Sequence, residues 1–229
     1  MLRTVGDAEP TLTIAELVSY RRRHPLPAVE EPRVVRTAET ELPTRHGRLR
    51  ALGYLDLHTG ADHLVLVRGE PHGEVTVRVH SECLTGESLG SLRCDCGPQL
   101  DAALERIGRD GGVLVYLRGH EGRAIGLRKK LAAYELQDAG LDTVDANLGI
   151  GQPGDARDYG AAAAILRDLD ATRVRLLTNN PDKIRDLEAG GVSVVLRLPL
   201  TVGAAPANLG YLATKQHRMG HLFEGREVS

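Results

Sequence analysis

The stretch QLDAALERIGRDGGVLVYLRGHEGRAIGLRKKLAAYELQDAG, Gln99 to Gly140, changes period twice within 42 residues. Residues 99–109 repeat apolar side chains at helical spacing. Residues 113–117 form an unbroken apolar run of strand length. Residues 125–139 return to a helical pattern that Gly140 stops. Helix, strand, helix is the unit of a layered α/β structure, because a strand flanked by crossover helices pairs in parallel with its neighbour. Downstream the alternation continues: a helix over 158–169, a strand over 174–177, a helix over 181–189 with Pro181 at its first position, and a strand over 192–196. Upstream the pattern is β-like, with runs at 49–57, 63–68 and 75–80 separated by the turn signals Thr59-Gly60 and His72-Gly73. The predicted class is therefore α/β, mixed with α+β character: a β-rich N-terminal half, then alternating helices and strands around a mixed, at least partly parallel sheet.

Residues 1–42 read as an appendage. Within them, 11–24 predict a short amphipathic helix with Thr13 as N-cap, Glu16 three residues later, and Ile14, Leu17 and Val18 on one face. Pro25, Pro27 and Pro32 then make a stiff connector. Arg21 to Arg23 read as a solvated helix end. The principal domain is expected over 43–222, with a tail at 223–229.

The chain has 229 residues, 41% hydrophobic and 26% charged, which excludes a mostly disordered polymer. Lys plus Arg (29) against Asp plus Glu (31) leaves a net charge of −2, and aromatics are 3% with no Trp. Neither a basic footprint nor a stacking platform for nucleic acid is present. No run approaches the roughly 20 apolar residues of a membrane helix, and Asp7, Glu9 and Pro10 occupy the place of a signal-peptide core. A cytoplasmic protein with no membrane or nucleic-acid partner is expected. The three cysteines, Cys83, Cys94 and Cys96, are odd in number and clustered, which argues for reduced thiols rather than disulfides.

By spacing, the cysteines leave three readings open. They are a catalytic zinc site with one open position, a structural site completed by His80, or plain buried thiols. Residues 118–126, RGHEGRAIG, join a strand end to a helix start and suit a phosphate, although glycine-rich turns also occur without a ligand. Residues 177–183, LTNNPDK, have the same layout, with Asn180 as cap and Thr178 and Lys183 able to face a ligand. Asp155 and Asp158 read as N-cap and first-turn acid, and Tyr134 as a half-buried packing residue.

Three motifs in order, Arg78-Val-His-Ser-Glu-Cys-Leu-Thr-Gly-Glu87, Ser91-Leu-Arg-Cys-Asp-Cys-Gly97 and Thr178-Asn-Asn-Pro181, resemble the GTP cyclohydrolase II family over about residues 41–222. The resemblance implies one zinc ion on Cys83, Cys94 and Cys96. It implies GTP contacts at Arg78, Val79, His80, Ser81, Glu82, Gln99, Glu121, Gly122, Arg123, Thr143, Thr178 and Lys183, with magnesium at the triphosphate. It also implies catalytic positions at Tyr134, Asp155 and Arg157, and a homodimer. The implied reaction opens the guanine imidazole ring at C8 as the first step of riboflavin synthesis. Its products are formate, pyrophosphate and 2,5-diamino-6-ribosylamino-4(3H)-pyrimidinone 5′-phosphate. Family accounts make Arg157 a nucleophile on the α-phosphorus, whereas an ordinary guanidinium is protonated at neutral pH and better suited to clamping phosphate. A paralogue that retains the formyl group or takes another nucleotide, and a non-catalytic zinc and nucleotide module, are the alternatives. Residues 11–24 resemble the segment that joins a dihydroxybutanone-phosphate synthase to this domain in bifunctional relatives, and a monofunctional chain is expected. The chain departs from the family pattern at Gln152, in an apolar slot, at Ala124, in place of a frequent glycine, and in the extra residue of Arg118-Gly-His-Glu121.

Overall fold

The computed structural model describes residues 32–223, together with Thr13, Ile14, Glu16, Val18 and Tyr20. Two compact units divide at Pro32 and Arg33. In the first, the expected capping box is present. The Thr13 N–H donates to Glu16 Oε2 at 2.9 Å, and the Glu16 N–H donates to Thr13 Oγ1 at 3.2 Å. Leu17, Arg21 to Arg23, Pro25, Pro27 and all but the first residue of the 223–229 tail lie outside the described residues.

The second unit is built on a seven-stranded sheet. Its strands are β1 (Val34–Thr44), β2 (Gly47–Asp56), β3 (Asp62–Arg68), β4 (Glu74–Ser81), β5 (Gly112–Leu117), β6 (Arg173–Leu177) and β7 (Ser193–Leu198), in the order β1-β2-β3-β5-β4-β6-β7. The β1–β2, β2–β3 and β3–β5 pairs form an antiparallel half. From β5 onward the β5–β4, β4–β6 and β6–β7 pairs are parallel. The mixed sheet expected from sequence is thus present, with its change of sense at β5.

Side chains alternate across the sheet because successive Cβ atoms point to opposite faces. Val113, Val115 and Leu117 of β5 join Val65, Val67, Val75, Val77 and Val79 in one core. Helix α6 (Gly160–Asp168) covers that face with Ala161, Ala162, Ala163, Ile165 and Leu166, and α7 (Pro181–Ala189) adds Leu187. Leu114 and Leu66 point the other way, onto Ala103 and Ile107 of α2 (Cys96–Asp110). The remaining helices are α1 (Leu84–Glu87), α3 (Glu121–Ala124), α4 (Leu127–Asp138), α5 (Thr143–Gly149) and α8 (Leu209–Met219). Among the described residues no helix is long and apolar enough to cross a membrane.

Three expectations need correction. The sheet begins at Val34, inside the segment read as an appendage through residue 42, because the Thr44–Gly47 hairpin folds β1 onto β2. The helix expected over 125–139 starts at Leu127, since Gly126 has φ +84° and the turn before it is left-handed at Arg123 and Ala124. The helix expected from Asp158 starts at Gly160. Asp158 Oδ1 accepts the Gly160 N–H at 2.8 Å, while Asp155 caps nothing and pairs with Arg157.

Candidate active site

Many of the side chains singled out from sequence collect where the parallel strands end. Ser81, Glu82 and Cys83 follow from β4, Gly119 and His120 from β5, and Thr178 to Asn180 from β6. This is the carboxyl edge at which open α/β sheets bind ligands. The cleft there has two lobes that share Ser81, Cys96, Arg123, Arg157 and Tyr211. One lobe contains the cysteines together with Glu82, Gly122, Tyr134 and Thr143. The other contains Arg78, His80, Gln99, Thr178 and Lys183. Of the residues proposed from sequence, Val79, Glu121 and Asp155 line neither lobe. Val79 faces the core, and its carbonyl accepts from Lys183 Nζ at 2.8 Å.

Cys83 stands just after β4, while Cys94 and Cys96 bracket Asp95 at the start of α2. Their three sulfurs lie within 4.8 Å of one another, and Cys83 Sγ and Cys94 Sγ are 3.7 Å apart. Two thiolates bound tetrahedrally at about 2.3 Å from zinc are about 3.8 Å apart, so the trio fits that ion. Gly86 leaves the room: a Cβ there would meet Cys94 Sγ at 2.7 Å and Cys83 Sγ at 3.3 Å. Hydrogen bonds from the Cys94 and Cys96 thiols, aided by the Lys130 charge, push the Cys83 thiol far down. Cys94 rises to about 11, chiefly because its own proton is the one bonded to the Cys83 sulfur. Such a cluster loses its remaining protons when a cation is present. His80 is not part of it. Its Nε2 is 2.9 Å from Glu87 Oε1, which removes the reading in which His80 completes a structural site.

The second lobe concentrates positive charge. Arg78 is buried at 4% exposure and donates to Gln99 Oε1 at 2.8 Å and to the Leu177 carbonyl at 2.9 Å. Burial, then the neighbouring Arg78, Arg157 and Lys215 charges, hold the Lys183 ammonium well below its usual range. Asp95 is the nearby counter-charge, bonded to Lys215 Nζ at 2.6 Å and to Gln99 Nε2 at 2.7 Å. Arg157 lies between the lobes. Its Nε donates to Asp155 Oδ1 at 2.9 Å, and a second nitrogen reaches Oδ2. Burial disfavours the charged guanidinium, but Tyr159 and Asp155 outweigh it and keep Arg157 firmly protonated. The loop before Asp155 is tied down by Asn147 Nδ2 and Arg123 Nη1 at the Gly154 carbonyl, 3.4 and 3.3 Å. Gln152 is accommodated by Lys129 Nζ at 2.8 Å.

Tyr134 is more than packing. Its hydroxyl is 3.3 Å from Thr85 Oγ1, Arg93 lies 4.7 Å over its ring, and burial raises its pKa so that it holds its proton. The glycine-rich turn at 118–126 spends much of its backbone internally. The Gly119 N–H goes to Glu82 Oε2 at 2.7 Å, and the Gly126 N–H goes to the Glu121 carbonyl at 3.0 Å. The lining residues that sequence reading missed include Arg93, His120, Lys130, Asn147, Tyr211, Lys215 and His221. Tyr211 and Lys215, four apart on α8, carried the one available signal, a shared helix face.

Residues 35–199 match the family described as GTP cyclohydrolase II. The chain belongs to that family. Among its relatives, the riboflavin biosynthesis protein RibBA of Mycolicibacterium gilvum is 54% identical over 217 residues, 92% of this chain and 50% of that protein. RibBA of Salinispora arenicola is 56% identical over 220 residues, 95% of this chain and 51% of that protein. The chain spans about half the length of these curated relatives. A solved structure of RibBX from A. baumannii, described as a two domain 3,4-dihydroxy-2-butanone 4-phosphate synthase, aligns at TM-score 0.41. It is 24% identical and covers 83% of this chain and 50% of that one. In this member of the GTP cyclohydrolase II family the cysteine cluster and the cationic lobe adjoin across shared lining residues.

Proposed function

We propose that the chain hydrolyses GTP at guanine C8, releasing formate and pyrophosphate and leaving 2,5-diamino-6-ribosylamino-4(3H)-pyrimidinone 5′-phosphate. One observation carries this reading: the three-cysteine cluster and the Arg78–Arg157–Lys183 lobe share Ser81, Cys96 and Arg157 as common walls. A purine and its triphosphate need these two chemistries side by side. Zinc on Cys83, Cys94 and Cys96, with a fourth position open, would supply Lewis-acid activation of water at neutral pH.

The chain's own residues supply the rest. Lys183, Arg78 and Lys215 repel one another in a desolvated lobe, so an oligophosphate relieves a strain that the protein alone maintains. On this reading Arg157, which lines both lobes, clamps the phosphate nearest the sugar. Asp155 fixes its orientation through two nitrogens and keeps it charged, which favours electrostatic clamping over nucleophilic attack. Tyr134, protonated and beside the cysteine lobe, is suited to give or hold a proton at the opened ring. His80, by contrast, is kept neutral by burial and by Arg78, so it contributes shape and hydrogen bonding rather than charge.

The reading extends to magnesium at the triphosphate, a homodimer and a cytoplasmic location. The first two rest on the family resemblance, and the third on the reduced thiols. The test is incubation with GTP and mass analysis of the products. One formate and one pyrophosphate per GTP are expected. A product that retains the formyl group would replace this reading with that of a ring-opening paralogue, and unchanged GTP would refute catalysis.

A further inference from the structure

Lys130, on α4, is buried at 7% exposure, and its ammonium makes three hydrogen bonds. It donates to Cys83 Sγ at 3.2 Å, to Thr85 Oγ1 at 2.8 Å and to Glu121 Oε1. An ammonium has three N–H groups, so none is left for a substrate. Glu121 is equally committed: its second oxygen, Oε2, accepts the Leu84 N–H at 2.6 Å, the peptide directly after Cys83. The pair therefore grips Cys83 from both sides, with Lys130 on the sulfur and Glu121 on the following backbone. The left-handed turn of α3 brings them together. A side chain at Gly122 would meet Lys130 Cβ at 2.9 Å, so only a bare backbone lets α4 approach this closely.

We infer that Lys130 and Glu121 are a buried positioning pair that orients Cys83 as a metal ligand and moderates its sulfur, an inference that rests on the zinc reading above. An N–H···S bond withdraws density from a thiolate and fixes its lone-pair direction. Ligand-orienting partners of this kind typically change metal affinity about 10- to 100-fold when removed. The assignment gives the Glu121 side chain a role beside the metal cluster.

The test uses the full chain and three variants, Lys130→Met, Lys130→Arg and Glu121→Gln. Zinc affinity is read by competition with a chromogenic chelator, and the cobalt(II)-loaded proteins are read by their sulfur-to-cobalt charge-transfer bands. Zinc binding about 10- to 100-fold weaker in Lys130→Met is expected, with the cobalt bands moved to lower energy and both readouts partly restored in Lys130→Arg. Glu121→Gln should weaken zinc binding in the same competition. Lys130→Met with wild-type zinc affinity and unmoved cobalt bands overturns the inference. So does a Glu121→Gln variant that keeps wild-type zinc affinity. If Lys130→Met fails to fold because Glu121 is left unpaired, the double variant Lys130→Met with Glu121→Gln removes that orphan charge and is read by the same two criteria. A wild-type chain that binds no zinc would defeat the metal reading itself, and is recognised before any variant is compared.

Discussion

Replacing Gly86 by alanine tests how closely the cysteine cluster is fitted. The new methyl would sit 2.7 Å from Cys94 Sγ, and 3.3 Å from both Cys83 Sγ and Cys96 Cβ. Ordinary contact begins near 3.4 Å, so the Cys94 sulfur must retreat by about 0.7 Å if the backbone holds. Metal–ligand distances tolerate only about 0.2 Å. Overpacking of this kind costs about 1–3 kcal/mol, and each 1.4 kcal/mol is about tenfold in affinity. A Gly86→Ala chain should therefore bind zinc roughly 5- to 150-fold more weakly, with formate release lost in proportion at limiting metal. Gly210→Ala is the control. Gly210 lies near the start of α8 with nothing within 4 Å of its would-be Cβ, and alanine there should leave zinc binding unchanged. Zinc content after dialysis against a graded chelator is the assay. A Gly86→Ala chain that keeps its zinc at wild-type chelator concentrations would refute the packing argument.

Ala124 adopts φ +67° where the family often has glycine, and a left-handed alanine costs about 1–2 kcal/mol against about 0.5–1 kcal/mol for glycine's extra entropy. Ala124→Gly should therefore raise the melting temperature by about 2 °C, and a lower value contradicts the strain. Burial, then Arg157 and Lys183, push His120 down to about 3, so the unfolded chain binds a proton that the fold refuses. Stability from this group is complete above about pH 6.5 and is lost as pH falls towards 3, at up to about 1.4 kcal/mol per pH unit. Denaturant curves of His120→Gln should lack that slope relative to wild type, and parallel pH profiles would contradict it. Tyr134→Phe should slow formate release more than pyrophosphate release, and equal losses in a coupled assay of both products would remove its proposed role.

Much of the fold was legible because its core elements carry strong periods. The valines of β4 and β5 and the apolar face of α2 report their own burial, and Pro181 and Asn180 mark the start of α7 as written. β1 was not legible. Almost all of its 11 residues are exposed, so no alternation survives to read, and only pairing with β2 makes it a strand. The short α5 and the α8 helix behind a glycine- and proline-bearing loop were missed for want of a long apolar stripe. At the site, cysteine spacing revealed the trio, but the exclusion of His80 depends on Glu87 reaching it from α1. Lys130 was hidden for a similar reason. Nothing in the sequence singles out Lys130 beside Lys129, yet it turns inward onto partners 9, 45 and 47 residues away.

The most direct measurement follows carbon-13 placed at C8 of GTP by NMR, with the protein stripped of metal and then reloaded with zinc. The account predicts that the label stays in guanine with the stripped chain and passes into formate on reloading, one formate per GTP consumed. Label reaching formate at the same rate without zinc, or remaining bound to the pyrimidine as a formyl group after reloading, would contradict it.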